Sequence, residues 1–139
     1  MENAWAHFPH EADIGLSATA SDKASLFEQM ALAMMAVITD IDRIDPIESI
    51  TVACEAPADD LLLIDWLNRL VYEMAVRNML FRRFKVTIED HRLTARAEGE
   101  PVNRAKHEPA VEVKGATLTA LEFGRTAGGG WSARCVVDV

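Results

Sequence analysis

At 139 residues, with half of them apolar and 26% charged, the chain reads as one globular domain, residues 1–139, with room for a sizeable core. Its formal net charge of −8 excludes a protein that grips nucleic acid unaided, because phosphate contacts need clustered Lys and Arg. No run approaches the ~18 consecutive apolar residues of a membrane span, and Met1-Glu2-Asn3-Ala4-Trp5 lacks the basic and apolar regions of a signal peptide, so the expectation is a cytoplasmic protein with no membrane partner.

Taken in order, Ile14, Leu16 and Ala18 alternate with Asp13, Gly15 and Ser17, the period-2 pattern of a half-buried strand. Asp13 falls on its non-core phase, at the start. Ser21 and Asp22 offer N-cap oxygens to a helix whose Phe27, Met30, Ala31, Met34, Met35 and Ile38 share one face. The methionines read as core filling rather than as a plastic groove. In the polar connector 39–46, Asp40, Asp42 and Asp45 hint at a calcium loop, but the turn glycine and the distal Glu are missing. A strand over Ser49 to Ala56 follows, with Ile50, Val52 and Cys54 inward.

Acidic residues at 59 and 60 then open the longest helix. Its stripe is Leu63, Trp66, Leu67, Leu70, Val71 and Met74, with Asp65, Arg69, Glu73 and Arg77 away from it. Phe84, Val86 and Ile88, a tight turn at Asp90-His91-Arg92, and Leu93, Ala95 and Ala97 predict a hairpin. Gly99-Glu100-Pro101 is expected to break that strand. Residues 102–109 form an exposed loop rich in basic and imidazole groups. A long strand from Val111 to Phe123 shows a phase slip near Ala120-Leu121, which a bulge explains. Gly128-Gly129-Gly130 turns the chain into a last strand with Trp131, Ala133, Cys135 and Val137 on one phase. Cys54 and Cys135 are expected as buried free thiols. The order strand, helix, strand, helix, four strands implies an α+β fold: a largely antiparallel sheet with two helices packed on one face.

If the first and last strands pair antiparallel, Asp13, Asp138 and the Val139 carboxylate share one small volume. Like charges that close shift one another's pKa or recruit a cation, and oxygen donors suit calcium or magnesium. The plainer alternative is three solvated carboxylates at a sheet edge. A different chemistry, a divalent-metal-dependent hydrolase built on Asp13, Asp138 and His107, would need a base beside a metal-bound water.

Several ordered motifs resemble the archease family over nearly the whole chain. They are His10-Glu-Ala-Asp13-Ile-Gly15, Leu62-Leu-Ile-Asp-Trp-Leu-Asn68, Gly99-Glu100, Lys106-His107 with Glu112-Val-Lys114, and the terminal Val137-Asp138-Val139. Glu11, Asn103 and Gly115 depart from the family's usual small or hydroxyl residue, acidic residue and Ala. The resemblance implies an accessory protein of an RtcB-type RNA ligase, which joins cyclic-phosphate or 3′-phosphate ends to 5′-hydroxyl ends in tRNA splicing and RNA repair. That ligase uses GTP and a divalent metal. The accessory protein promotes its guanylylation and multiple turnover, is not itself an enzyme, and meets RNA only through the ligase. Carried onto this chain, the resemblance places a divalent cation on Asp13, Asp138 and Val139, calcium first, with magnesium or manganese as alternatives. It assigns Lys106, His107, Glu112 and Lys114 to ligase activation or contact.

Overall fold

In the computed structural model, which describes residues 2–139, the first predicted strand becomes β2 (Asp13–Ala20). Leu16, Ala18 and Ala20 are buried, and Asp13 falls on the opposite phase. Met1, part of the stretch read above for a leader, lies outside the described residues. Ahead of β2 stands a strand absent from the sequence reading, β1 (Ala4–His10), paired from Ala4–Thr19 to His10–Asp13. Its turn, Glu11-Ala12, holds Glu11 at a φ of 55° without the Asn or Gly such turns favour. Pro9 suits only an edge, so the usual hairpin signal is missing.

β7 (Trp131–Asp138) lies antiparallel on β2, with Ile14 opposite Val137 and Ala20 opposite Trp131. β6 (Gly115–Arg125) closes the order β1-β2-β7-β6. It begins four residues after the predicted Val111, because 108–114 run outside any strand. The phase slip is a bulge: the register shifts between Thr117 and Glu122, and Ala120 has a φ of 54°.

The other strands form a second antiparallel sheet, so the expected sheet is divided in two. β3 (Glu48–Glu55), β4 (Met79–Glu89) and β5 (Arg92–Pro101) take the order β3-β5-β4. At the β4–β5 turn both Asp90 and His91 adopt positive φ, 50° and 61°, the type I′ signature. β5 does not break at Gly99-Glu100-Pro101 but runs through Pro101. Glycine makes that possible, since a Cβ on Gly99 would stand 1.8 Å from the Leu80 carbonyl oxygen, beside the β4 irregularity at Phe81/Arg83.

α1 (Lys23–Ile38) starts where Asp22 accepts from the Ser25 N–H at 2.8 Å. Its three methionines are fully buried, which makes them core. α1 touches β2 of one sheet and β4 of the other, the place for a helix apolar on most sides. α2 (Asp59–Arg77) also meets both sheets, through β6 and β3, and ends on Asn78 in the left-handed region. Trp66 Nε1 donates to the Phe27 carbonyl at 3.0 Å, tying the two helices together. Glu73, expected on the solvent side, is buried because Arg69 and Arg77 close over its carboxylate at 3.8 and 2.5 Å. The fold is thus α+β, with helices against two antiparallel sheets. Among the described residues, no helix is long and apolar enough to cross a membrane. Both cysteines are free, with Cys135 buried and Cys54 half-buried. Burial pushes their thiols up to about 12 and 11, which keeps them unreactive.

Candidate functional site

The β2–β7 register carries the two ends of the chain's chemistry together. Continued one residue past the Ile14–Val137 pair, the β2–β7 register leads to Asp13 and Asp138. Opposed residues in such a pair lie roughly 4.5–5.5 Å apart. The Val139 N–H donates to Asp13 Oδ1 at 3.4 Å. His10 stands opposite Asp13 on β1, and Gly115 opposite Asp138 on β6. The Lys114 N–H donates to the Asp138 carbonyl at 2.8 Å.

Could these residues hold a cation? Asp13 and Asp138 supply hard oxygen donors, the kind calcium and magnesium take. Among the described residues, however, no group of three His, Cys, Asp or Glu side chains is placed to hold a metal ion. A cation here would therefore need main-chain oxygens beside the two carboxylates, at the end where the Val139 N–H meets Asp13.

The second cluster is built differently. The predicted loop 102–109 contains a four-residue helix, α3 (Arg104–His107), capped by Asn103, whose side chain accepts from the Lys106 N–H at 3.1 Å. An acidic residue at 103 would cap equally well; asparagine does so without adding charge. His107 is not the exposed loop histidine expected: it is 1% exposed. Its Nδ1 accepts from the Asn103 N–H at 2.9 Å, so the neutral ring carries its proton on Nε2, which meets Glu100 Oε2 at 3.0 Å. Thr39 Oγ1 donates to the His107 carbonyl. Both ring nitrogens are thus engaged, and His107 is not available as the base of a hydrolase on Asp13 and Asp138.

Glu100 is the hub. Its Oε2 also accepts from Lys106 Nζ and from the Asp45 N–H, each at 2.7 Å, and Lys106 Nζ reaches Asp45 Oδ2 at 2.6 Å. Burial alone would raise the Glu100 carboxyl; the donors from Asp45, Lys106 and His107 outweigh it and hold the group at about 2. The Lys106 ammonium is pushed up by its hydrogen bonds to Asp45 and Glu100.

The structure thus divides the predicted group of four. Lys106 and His107 stand together; Lys114 belongs to the Asp138 end. Glu112 is exposed between them, on the rim of an open cleft of about 580 Å³ floored by Val71, Met74 and Val102. One strap, residues 108–114, joins the two clusters. Arg43 pairs with Glu108 at 2.5 Å, and the Ala110 N–H donates to the Ile38 carbonyl at 2.8 Å. Asp45 and Thr39 escape a sequence reading because nothing local marks them as partners of residues some sixty positions away. Glu100 is visible as a motif residue, yet its role depends on the fold.

Known proteins resemble the chain over nearly its whole length. The Archease protein family model matches residues 5–139. Protein archease of Pyrococcus abyssi is 32% identical over 139 residues, covering 97% of this chain and 98% of that one. Protein archease of Methanosarcina barkeri is 33% identical over 138 residues, covering 96% and 94%. The solution structure of Methanobacterium thermoautotrophicum protein 1598 superimposes with a TM-score of 0.83 at 31% identity, covering 98% of this chain and 99% of that one. With the match running from β1 through β7, and with the His10–Asp13, Lys106–His107 and Asp138 motifs all inside it, the chain belongs to the archease family.

Proposed function

We propose that this protein is a cytoplasmic, non-catalytic activator of an RtcB-type, GTP-dependent RNA ligase. It promotes ligase guanylylation and repeated turnover in tRNA splicing and RNA repair, and it meets RNA only through the ligase. A divalent cation, calcium first and magnesium or manganese otherwise, is held by Asp13, Asp138 and the Val139 carboxylate. When bound, it would balance the charges of those carboxylates. Lys106, His107, Glu112 and Lys114 serve the ligase, with His107 acting from inside as a support for Lys106. The observation that carries the reading is the strap: seven residues connect the Lys106–His107 turn to the Asp138 end, so both groups can face one partner. The acidic balance of the chain, −8, favours docking on a basic protein surface over gripping RNA.

Purified protein is incubated with cyclic-phosphate RNA, GTP and metal, with and without the ligase. Joining is expected only with the ligase and faster with this protein added. A covalent guanylyl adduct on this chain alone would refute the accessory role. Calorimetric calcium titration tests the cation: extending the chain beyond Val139 is expected to weaken binding, whereas an N-terminal extension is not. Equal affinities would remove Val139 from the ligand set.

A further inference from the structure

Resting on the ligase-contact reading of Lys106, we propose that Glu100 is the positioning residue of that contact, pinning the Lys106 ammonium in the orientation the ligase meets. A lysine side chain is long and mobile, and ordering it on docking lowers affinity. Here it is ordered beforehand. Of the three ammonium donors, one goes to Glu100 Oε2 and one to Asp45 Oδ2, which leaves one for a partner on a side chain that is 35% exposed. Glu100 is suited to the task because it cannot itself move. It is 8% exposed, and the same oxygen is tied to the Asp45 N–H and to His107 Nε2. Its strand position opposite Leu80 is fixed by the close approach at Gly99. The Asp45 side chain, by contrast, is exposed on a connector. His107 completes the support: its ring is gripped by Asn103 behind and Glu100 in front, so the α3 turn that bears Lys106 is registered against β5.

The test is a double-mutant cycle in ligase stimulation, combined with nitrogen-15 spectra of the lysine ammonium groups. Glu100→Gln keeps the shape and removes the charge. Stimulation is expected to fall roughly three- to tenfold, the cost of ordering one free lysine, and the slowly exchanging Lys106 ammonium signal is expected to vanish while strand amides keep their shifts. In a Lys106→Met background, Glu100→Gln is expected to cause no further fall, since a residue that acts only through Lys106 has nothing left to act on. A second, multiplicative fall there, or an ammonium signal that survives Glu100→Gln, overturns the proposal. Should Glu100→Gln fail to fold, Glu100→Asp, which keeps the charge but draws it back by one methylene, is read in the same two ways. A ligase indifferent to the wild-type protein would sink the accessory reading alone; the ammonium spectrum then decides the positioning of Lys106 by itself, its loss supporting the proposal and its persistence refuting it.

Discussion

The two polar groups joined by the 108–114 strap solve opposite problems. At the Asp13–Asp138 end the residues are assembled by main-chain register, and the contacts that hold them there run through backbone groups of Val139 and Lys114. Their charges are left without a protein cation among the described residues. Around Glu100 the reverse holds: side chain meets side chain, the Glu100 carboxylate is paired with the Lys106 ammonium, and the hub is buried. The difference separates two uses of charge. An unbalanced group can take something from solution, whereas a satisfied one holds shape, because breaking it would strand a buried ion.

Substitutions ordered by their effect on stability put that distinction to work. Gly99→Ala strikes the satisfied group from below, forcing a Cβ into the Leu80 carbonyl. Overpacking of this kind is expected to lower unfolding free energy by about 3 kcal/mol or more, read by urea denaturation. A loss under 1 kcal/mol would mean that β4 yields easily.

Glu100→Gln comes next. The folded carboxyl titrates at about 2, below its ordinary 4.5, so its contribution is complete above the unfolded value and fades as pH falls through the folded one. The difference corresponds to about 3 kcal/mol at pH 7. Urea titrations of wild type and variant are expected to differ by roughly that amount at neutral pH and to converge between pH 4 and 2; a gap that persists at pH 2 would assign it to packing rather than charge.

Asn103→Ala removes the α3 cap and is expected to lower stability by about 1 kcal/mol. Asp138→Asn is expected to change stability by roughly 0.5 kcal/mol or less, while calcium affinity, measured by calorimetry, drops severalfold. If Asp138→Asn proved as destabilising as Glu100→Gln, the contrast between the two groups would collapse.

How much of this was legible follows the range of the forces involved. The alternation of Ile14, Leu16 and Ala18, the α1 and α2 stripes and the Ala120 bulge depend on neighbours in sequence, and they stand where the periodicity places them. The antiparallel pairing of β2 with β7, on which the Asp13–Asp138 reading depended, is present as well. β1 was hidden because its stabilising partner supplies the order that Ala4, Pro9 and a Glu-Ala turn do not advertise. The division into two sheets was hidden too, since alternation says which face is apolar and not which strand lies alongside. His107 looks like a loop residue because its burial comes from Thr39, Glu100 and Asn103, a conjunction that no local pattern encodes.

The position of β7 has a consequence for how the protein is made. It is an interior strand, flanked by β2 and β6, yet it pairs with a strand that ends at Ala20, more than a hundred residues earlier. At ~5–20 residues per second of synthesis, the β1–β2 hairpin waits on the order of 5–20 s for its neighbour. During that interval α1, which packs on β2, is the first element at hand to shield Leu16 and Ala18. The first sheet therefore closes late, after a long-range loop has been paid for in entropy, and the Asp13–Asp138 pair comes into being at that final step. A nascent chain lacking β7 would present an unfinished edge on β2, the surface on which chaperone contact during translation should concentrate.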